Sequence, residues 1–159
     1  KLYDNGQLGR KTGGGFYRIQ KLDNGDKLKE VYDLGSGDWR EARKIDMEKD
    51  LNVILEDSNY GLYSWKVMGS TLMYAADLIP EIADDIVNVD RAMKWGFAWA
   101  KGPFEMIDEL GPFKCIEKCK KLGSVPKMLQ ILEDSGEKSF YTDDGKFMDI
   151  SGTYKKISD

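Results

Sequence analysis

Residues 79–111 read "IPEIADDIVNVDRAMKWGFAWAKGPFEMIDELG", and their punctuation decides the fold. Pro80 ends any helix that reaches it. Asn88 reads as an N-cap, Asp90 as a negative charge near the positive end of the same helix, and Gly96 as its stop. Gly102-Pro103 then opens a new helix, with proline at the first position where its missing N–H costs nothing. The same device recurs at Gly111-Pro112 and Val125-Pro126. The spacing predicts helices over about 103–110, 112–121 and 126–134, closed by Gly111, Gly123 and Gly136.

Upstream, "DMEKDLNVILED" starts a helix with Asp46 as N-cap and Leu51, Ile54 and Leu55 on one face. "YGLYSWKVMGSTLMYAADLI", residues 60–79, is apolar nearly all round, which predicts a central buried helix roughly 30 Å long. That length would cross a bilayer, but Lys66, Ser70 and Asp77 argue against a membrane span. The expected fold is mainly α, a bundle of five or six helices.

A small β-meander flanks the bundle at each end. "FYRIQKLDNGDKLKEVYDLGSGDWRE" carries two β-rich runs around Asn24-Gly25, a pair suited to a hairpin turn, and a third short strand at Trp39. Near the C-terminus "SFYTDDGKFMDISGTYKKI" repeats the order of parts. Phe140-Tyr141 echoes Phe16-Tyr17, Asp144-Gly145 echoes Asn24-Gly25, and "MDISGTY" echoes "YDLGSGDW". This is an internal repeat, the end of one unit followed by nearly all of another. The domains expected are therefore 1–15, the tail of a first helical unit; 16–41, a linking meander; and 42–159, a second helical unit with its own meander.

Composition narrows the function classes. The chain has 159 residues and a net charge of −4, which disfavours nucleic acid as a partner. It contains no histidine, so Ser-His, Cys-His and His-carboxylate chemistry are excluded within it. Cys115 and Cys119 lie four apart, too strained for a disulfide within one helix, and read as reduced thiols of a cytoplasmic protein. No metal site is expected. The chain begins at Lys1 without a methionine and shows no signal peptide, which suggests a piece of a longer protein.

"GQLGRKTGGGFY", residues 6–17, holds five glycines but does not make a phosphate cradle. Arg10 separates Gly9 from Lys11, which breaks the P-loop pattern, and Arg18 stands where a dinucleotide fingerprint needs its third glycine. The next segment reads as a strand, not as the helix N-terminus that binds phosphate. Glu81, Asp84, Asp85 and Asp90 form the densest carboxylate group, either a cation or acid–base site or a set of helix caps; capping is the simpler reading. Met93, Trp95, Phe97, Trp99, Pro103 and Phe104 could line an apolar groove for an acyl chain, or pack as core beneath a loop.

The run 79–111 closely resembles the C-terminal helical domain of 3-hydroxyacyl-CoA dehydrogenases, in the long bacterial form that carries two such domains in tandem, often fused to an enoyl-CoA hydratase. The long pattern "DRAMKWGF…GPFEMIDELG" carries the likeness, and "GQLGRKTGGGFY" is similar to the segment that closes the first such domain. The resemblance implies a parent oxidoreductase of fatty-acid β-oxidation whose NAD-binding domain and histidine–glutamate pair lie outside this chain. It implies no catalytic and no cofactor-binding residue here. It also implies acyl-CoA as the parent's substrate, and a homodimer or a sister repeat as the partner. On it, Arg10 and Lys11 either meet a CoA phosphate in the intact enzyme or form a solvated basic turn. The second repeat has "GEKSFY" in place of the glycine run, which predicts a looser closing turn. The alternatives are a free-standing interaction or dimerisation module and an independent acyl-CoA-binding module.

Overall fold

The computed structural model describes residues 1–44 and 50–157. The chain divides into two compact units, Lys1–Glu48 and Lys49–Asp159. Asp46, expected to cap a helix, lies outside the described residues.

In the first unit, residues 1–6 close one turn, with the Asn5 N–H on the Lys1 carbonyl at 3.0 Å. The glycine segment folds back on itself through a Gly9–Gly14 bridge, and Thr12 Oγ1 accepts the Leu8 N–H at 3.0 Å. A three-stranded antiparallel sheet comes next: β1 (Tyr17–Lys21), β2 (Lys27–Tyr32) and β3 (Trp39–Glu41). The β1–β2 register pairs Tyr17 with Val31 and Lys21 with Lys27, and the Gly25 N–H bonds the Leu22 carbonyl at 2.9 Å, so Asp23-Asn24 is the central pair of the turn, one residue before the Asn24-Gly25 pair that the sequence predicts. Gly25 has φ +88°. One face packs Trp39 edge-on to Tyr32 at 5.4 Å, with the Arg18 guanidinium 4.4 Å from the Trp39 ring centre. Arg18 also donates to the buried Glu30 at 2.5 Å.

The second unit is mainly helical. A 3-10 turn, Leu51–Leu55, is capped by Asp50, which accepts the Asn52 N–H at 2.9 Å. Six α-helices succeed it among the described residues: α1 (Asn59–Ser64), α2 (Ser70–Asp77), α3 (Ile86–Phe97), α4 (Pro103–Leu110), α5 (Pro112–Leu122) and α6 (Lys127–Ser135). The hairpin of β4 (Lys146–Met148) and β5 (Tyr154–Lys156) packs after them. The core is Leu72, Ala76, Ile79, Ile86, Phe104, Ile107, Leu110, Ile116, Met128, Leu129, Leu132, Phe140 and Met148.

The run 60–79 departs from the buried central helix that its composition predicts. It is α1 and α2 joined by a wide π turn, Trp65–Gly69. Trp65, Leu72, Ala75 and Ala76 face the core, whereas Tyr60, Tyr63, Val67 and Tyr74 are exposed. An all-apolar helix need not be buried all round; here its second face is left uncovered. Gly69 permits the wide turn, because a Cβ there would lie 2.7 Å from the Trp65 ring.

Three further details differ from the sequence reading. The cap of α3 is Asp85, which accepts the Asn88 N–H at 2.8 Å, so the helix starts before Asn88. It also runs past Gly96 to Phe97, and Ala98 closes it in the left-handed region at φ 55°. Pro126 is the N-cap of α6 rather than its first residue.

The internal repeat is written in hydrogen bonds. In the first sheet Tyr32 N–H donates to Phe16 O at 2.9 Å; in the second Met148 N–H donates to Phe140 O at 2.8 Å. Asp33 N–H bonds Asp38 O as Asp149 N–H bonds Thr153 O, both at 2.9 Å. Trp39 pairs with Tyr32 as Tyr154 pairs with Met148. Arg40 bridges to Asp33 and Lys155 to Asp149. Gly25 and Gly145 both have positive φ.

Replacing Gly25 by Val should destabilise the first unit by about 1–2 kcal/mol, purely through backbone strain, since nothing lies within 4 Å of an added Cβ. Gly25→Asn, which tolerates that φ, should lose less. Limited proteolysis between residues 17 and 41 reads the difference; equal resistance of Gly25→Val and the parent would contradict the turn assignment.

Candidate functional site

One polar constellation of the helical unit is built by two aspartates, Asp90 and Asp108, and not by the carboxylate group as a whole. Asp90 sits in the middle of α3, 1% exposed. Its carboxylate accepts the Phe104 N–H at 2.9 Å and the Glu105 N–H at 3.1 Å. It thereby caps α4, a helix whose own N-cap, Gly102, has no side chain. Glu105 completes the cap by accepting the Gly102 N–H at 2.8 Å and the Lys94 ammonium at 2.6 Å. Gly102 is required there: a Cβ would lie 2.3 Å from Asp90 carbon atoms. Asp90 therefore serves the positive end of the next helix, not that of its own.

Tyr141 closes the set. Its hydroxyl donates to Asp90 Oδ2 at 2.9 Å. The Phe140 and Tyr141 amides donate to the two oxygens of Asp108, near the end of α4, at 2.7 and 2.8 Å. The Phe140 ring is fully buried and meets Phe104 edge-on at 5.0 Å. The "GEKSFY" turn is thus firmly tied to α4, against the looser turn expected from its missing glycines.

Burial pushes the Asp90 carboxyl up to about 6, against the pull of the Phe104, Tyr141 and Glu105 hydrogen bonds. Burial also raises Asp108 to about 6, against its two amide bonds. Tyr141 is raised, first by burial and then by Asp90. Glu105 is lowered: burial opposes ionisation, but Lys94 and the Gly102 amide outweigh it. Fixed donors engage both oxygens of Asp108 and three hydrogen bonds converge on Asp90, so this constellation positions α3, α4 and the hairpin.

The residues of the expected apolar groove separate. Pro103 and Phe104 are buried, and Phe104 belongs to the core. Met93 is half-buried, and Trp99 packs partly against the core. Trp95 and Phe97 project outward, 78% and 71% exposed, with Arg91 5.8 Å from the Trp95 ring centre. Of the carboxylate group, Asp85 caps α3, Asp90 caps α4, and Glu81 and Asp84 do not join them: Glu81 is exposed and Asp84 lies in the bend before α3. No cluster of three metal-ligating side chains occurs among the described residues.

Cys115 and Cys119 are buried free thiols, both raised above the usual range by burial. Cys119 lines an open cleft of about 280 Å³ beside α2, 3.2 Å from Met73 Sδ. Read from the sequence, Asp90 and Asp108 are only local charges. The partners that give them meaning are 14 to 51 residues away. Arg10 and Lys11 are exposed on a short 3-10 turn. The glycine segment around them passes into β1, so no helix N-terminus comes after it and its residues do not fit a dinucleotide. No described helix is long and apolar enough to cross a membrane.

No family model matches the chain, and no solved structure matches it. It is 36% identical over 152 residues to a probable 3-hydroxyacyl-CoA dehydrogenase of Bacillus subtilis, covering 88% of this chain and 19% of that protein. It is 36% and 32% identical over 109 residues to putative fatty acid oxidation complex trifunctional enzymes of Rickettsia felis and Rickettsia prowazekii, covering 67% of this chain and 15% of each. The chain is thus homologous to proteins named 3-hydroxyacyl-CoA dehydrogenase and fatty acid oxidation trifunctional enzyme, and it spans less than a fifth of the length of these relatives.

Asp108→Asn should lower stability by about 1–3 kcal/mol, because an amide cannot accept from both backbone N–H groups. The sign of the pH effect comes from the raised carboxyl: between about pH 4 and 6 the native form holds a proton that the unfolded chain has released, so the stability this group contributes falls as pH rises through that window. The gap between parent and Asp108→Asn in urea melts should therefore narrow from pH 4 to 6 and stay constant above. A gap that widens with pH would contradict burial as the dominant influence.

Proposed function

We propose that the chain is the C-terminal, non-catalytic portion of an NAD-dependent 3-hydroxyacyl-CoA dehydrogenase of fatty-acid β-oxidation. The observation that carries this reading is the 36% identity over 152 residues to a protein of that name. In this reading residues 1–15 are the tail of a first helical C-terminal domain, 16–41 a linking meander, and 42–159 a second helical domain of the same fold family. NAD is bound by a domain outside the chain, and acyl-CoA is the intact protein's substrate in the cytoplasm.

The helical domain serves packing and pairing. Its exposed apolar residues Tyr60, Tyr63, Val67 and Tyr74, on α1, α2 and the turn between them, are the kind of surface that a domain core cut in half presents. A sister repeat or a second subunit would cover it.

The chain alone holds no histidine base and no glycine cradle for a dinucleotide. The intact protein should form NADH from 3-hydroxybutyryl-CoA, and this chain should form none. Turnover by the purified chain, or an intact protein inert towards every 3-hydroxyacyl-CoA, would overturn the reading.

A further inference from the structure

The two copies of the meander share their hydrogen bonds but not their surroundings. In the second copy the Phe140 and Tyr141 amides are held by Asp108, and the Tyr141 hydroxyl by Asp90. The Phe140 ring is completely buried. In the first copy the equivalent residues, Phe16 and Tyr17, are 60% and 61% exposed. Equivalence is fixed by register: Tyr17 pairs with Val31 as Tyr141 pairs with Phe147, and the Tyr32–Phe16 bond matches the Met148–Phe140 bond.

Because Tyr32 N–H bonds Phe16 O, antiparallel alternation leaves the Tyr17 amide directed away from β2, on the free edge of the sheet. An exposed edge with two large aromatic residues invites pairing. In the second copy the same edge is not paired with a strand; a carboxylate at the end of a helix takes its two donors.

We propose that in the longer protein the Phe16 and Tyr17 amides are held by an aspartate carboxylate on a helix preceding Lys1, and that a second, buried aspartate accepts the Tyr17 hydroxyl. The inference rests on the proposed function, in which a helical repeat precedes this chain, and it goes beyond that function by naming the contact. It also fixes a register. Asp108 precedes Phe140 by 32 residues. The closing segment is six residues longer in the first copy, ten from Gly6 to Phe16 against four from Gly136 to Phe140. The upstream aspartate is therefore expected about 38 residues before Phe16, at the end of a short helix built like α4.

Amide hydrogen exchange over residues 14–18, in the intact protein and in this chain, tests the contact. The Tyr17 amide should exchange at least about a hundredfold more slowly in the intact protein. Phe16→Ala should lower the melting temperature of the intact protein by several degrees while leaving that of this chain within a degree. An unprotected Tyr17 amide in the intact protein overturns the proposal, and so does equal protection in this chain alone. A dehydrogenase with the amide unprotected would refute only this contact. A protected amide in a protein without dehydrogenase activity would refute only the functional reading.

Discussion

The buried carboxylate of Asp90 is the constraint on which the helical unit turns. A helix of eight residues, Pro103–Leu110, is too short to hold itself together in water. Its start is Gly102-Pro103, a pair with no capping side chain. The cap comes instead from the preceding helix, 14 and 15 residues back along the chain, and the same carboxylate takes the hydroxyl of Tyr141 from the far end of the unit. One carboxylate thereby fixes the angle between α3 and α4 and anchors the C-terminal hairpin. The arrangement demands that Gly102 have no side chain and that Asp90 be dehydrated, and burial raises its carboxyl accordingly.

Asp108 extends this logic to the other end of α4. The last turn of a helix repels a carboxylate through the macrodipole, yet Asp108 is placed there because it faces the two edge amides of Phe140 and Tyr141 rather than the helix carbonyls. The hairpin edge, which would otherwise be an open ladder, is closed by a side chain. With Phe104 and Phe140 packed edge-on beside it, polar and apolar contacts specify the same docking geometry.

How much of the fold is legible in the sequence depends on how local each signal is. Proline and glycine act within two or three residues, so the starts and stops of α4 and α5 can be read directly, and both hairpin turns to within one residue. The repeat is legible because two short stretches share their order of parts. Asp90 is visible as a charge near a helix start, but its work is done by partners far along the chain, and no spacing rule reports them. Asn88 and Gly96 mislead for a related reason: Asp85 is available as a cap three residues earlier, and the helix continues for one more residue beyond Gly96. The run 60–79 misleads because hydrophobicity alone does not say whether a face is covered by this chain or by something else. The expected groove groups Trp95 and Phe97 with Phe104 by proximity in sequence, whereas α3 and α4 send them to opposite environments.

A double-mutant cycle tests whether the direct hydrogen bond between Asp90 and Tyr141 holds the unit together. Stabilities of the parent, Asp90→Asn, Tyr141→Phe and the double variant would be measured by urea unfolding at neutral pH. Residues bonded in one buried network should show a coupling of about 1–3 kcal/mol. Strictly additive losses, with no coupling beyond about 0.5 kcal/mol, would mean that the contact does not hold the fold and would contradict the account.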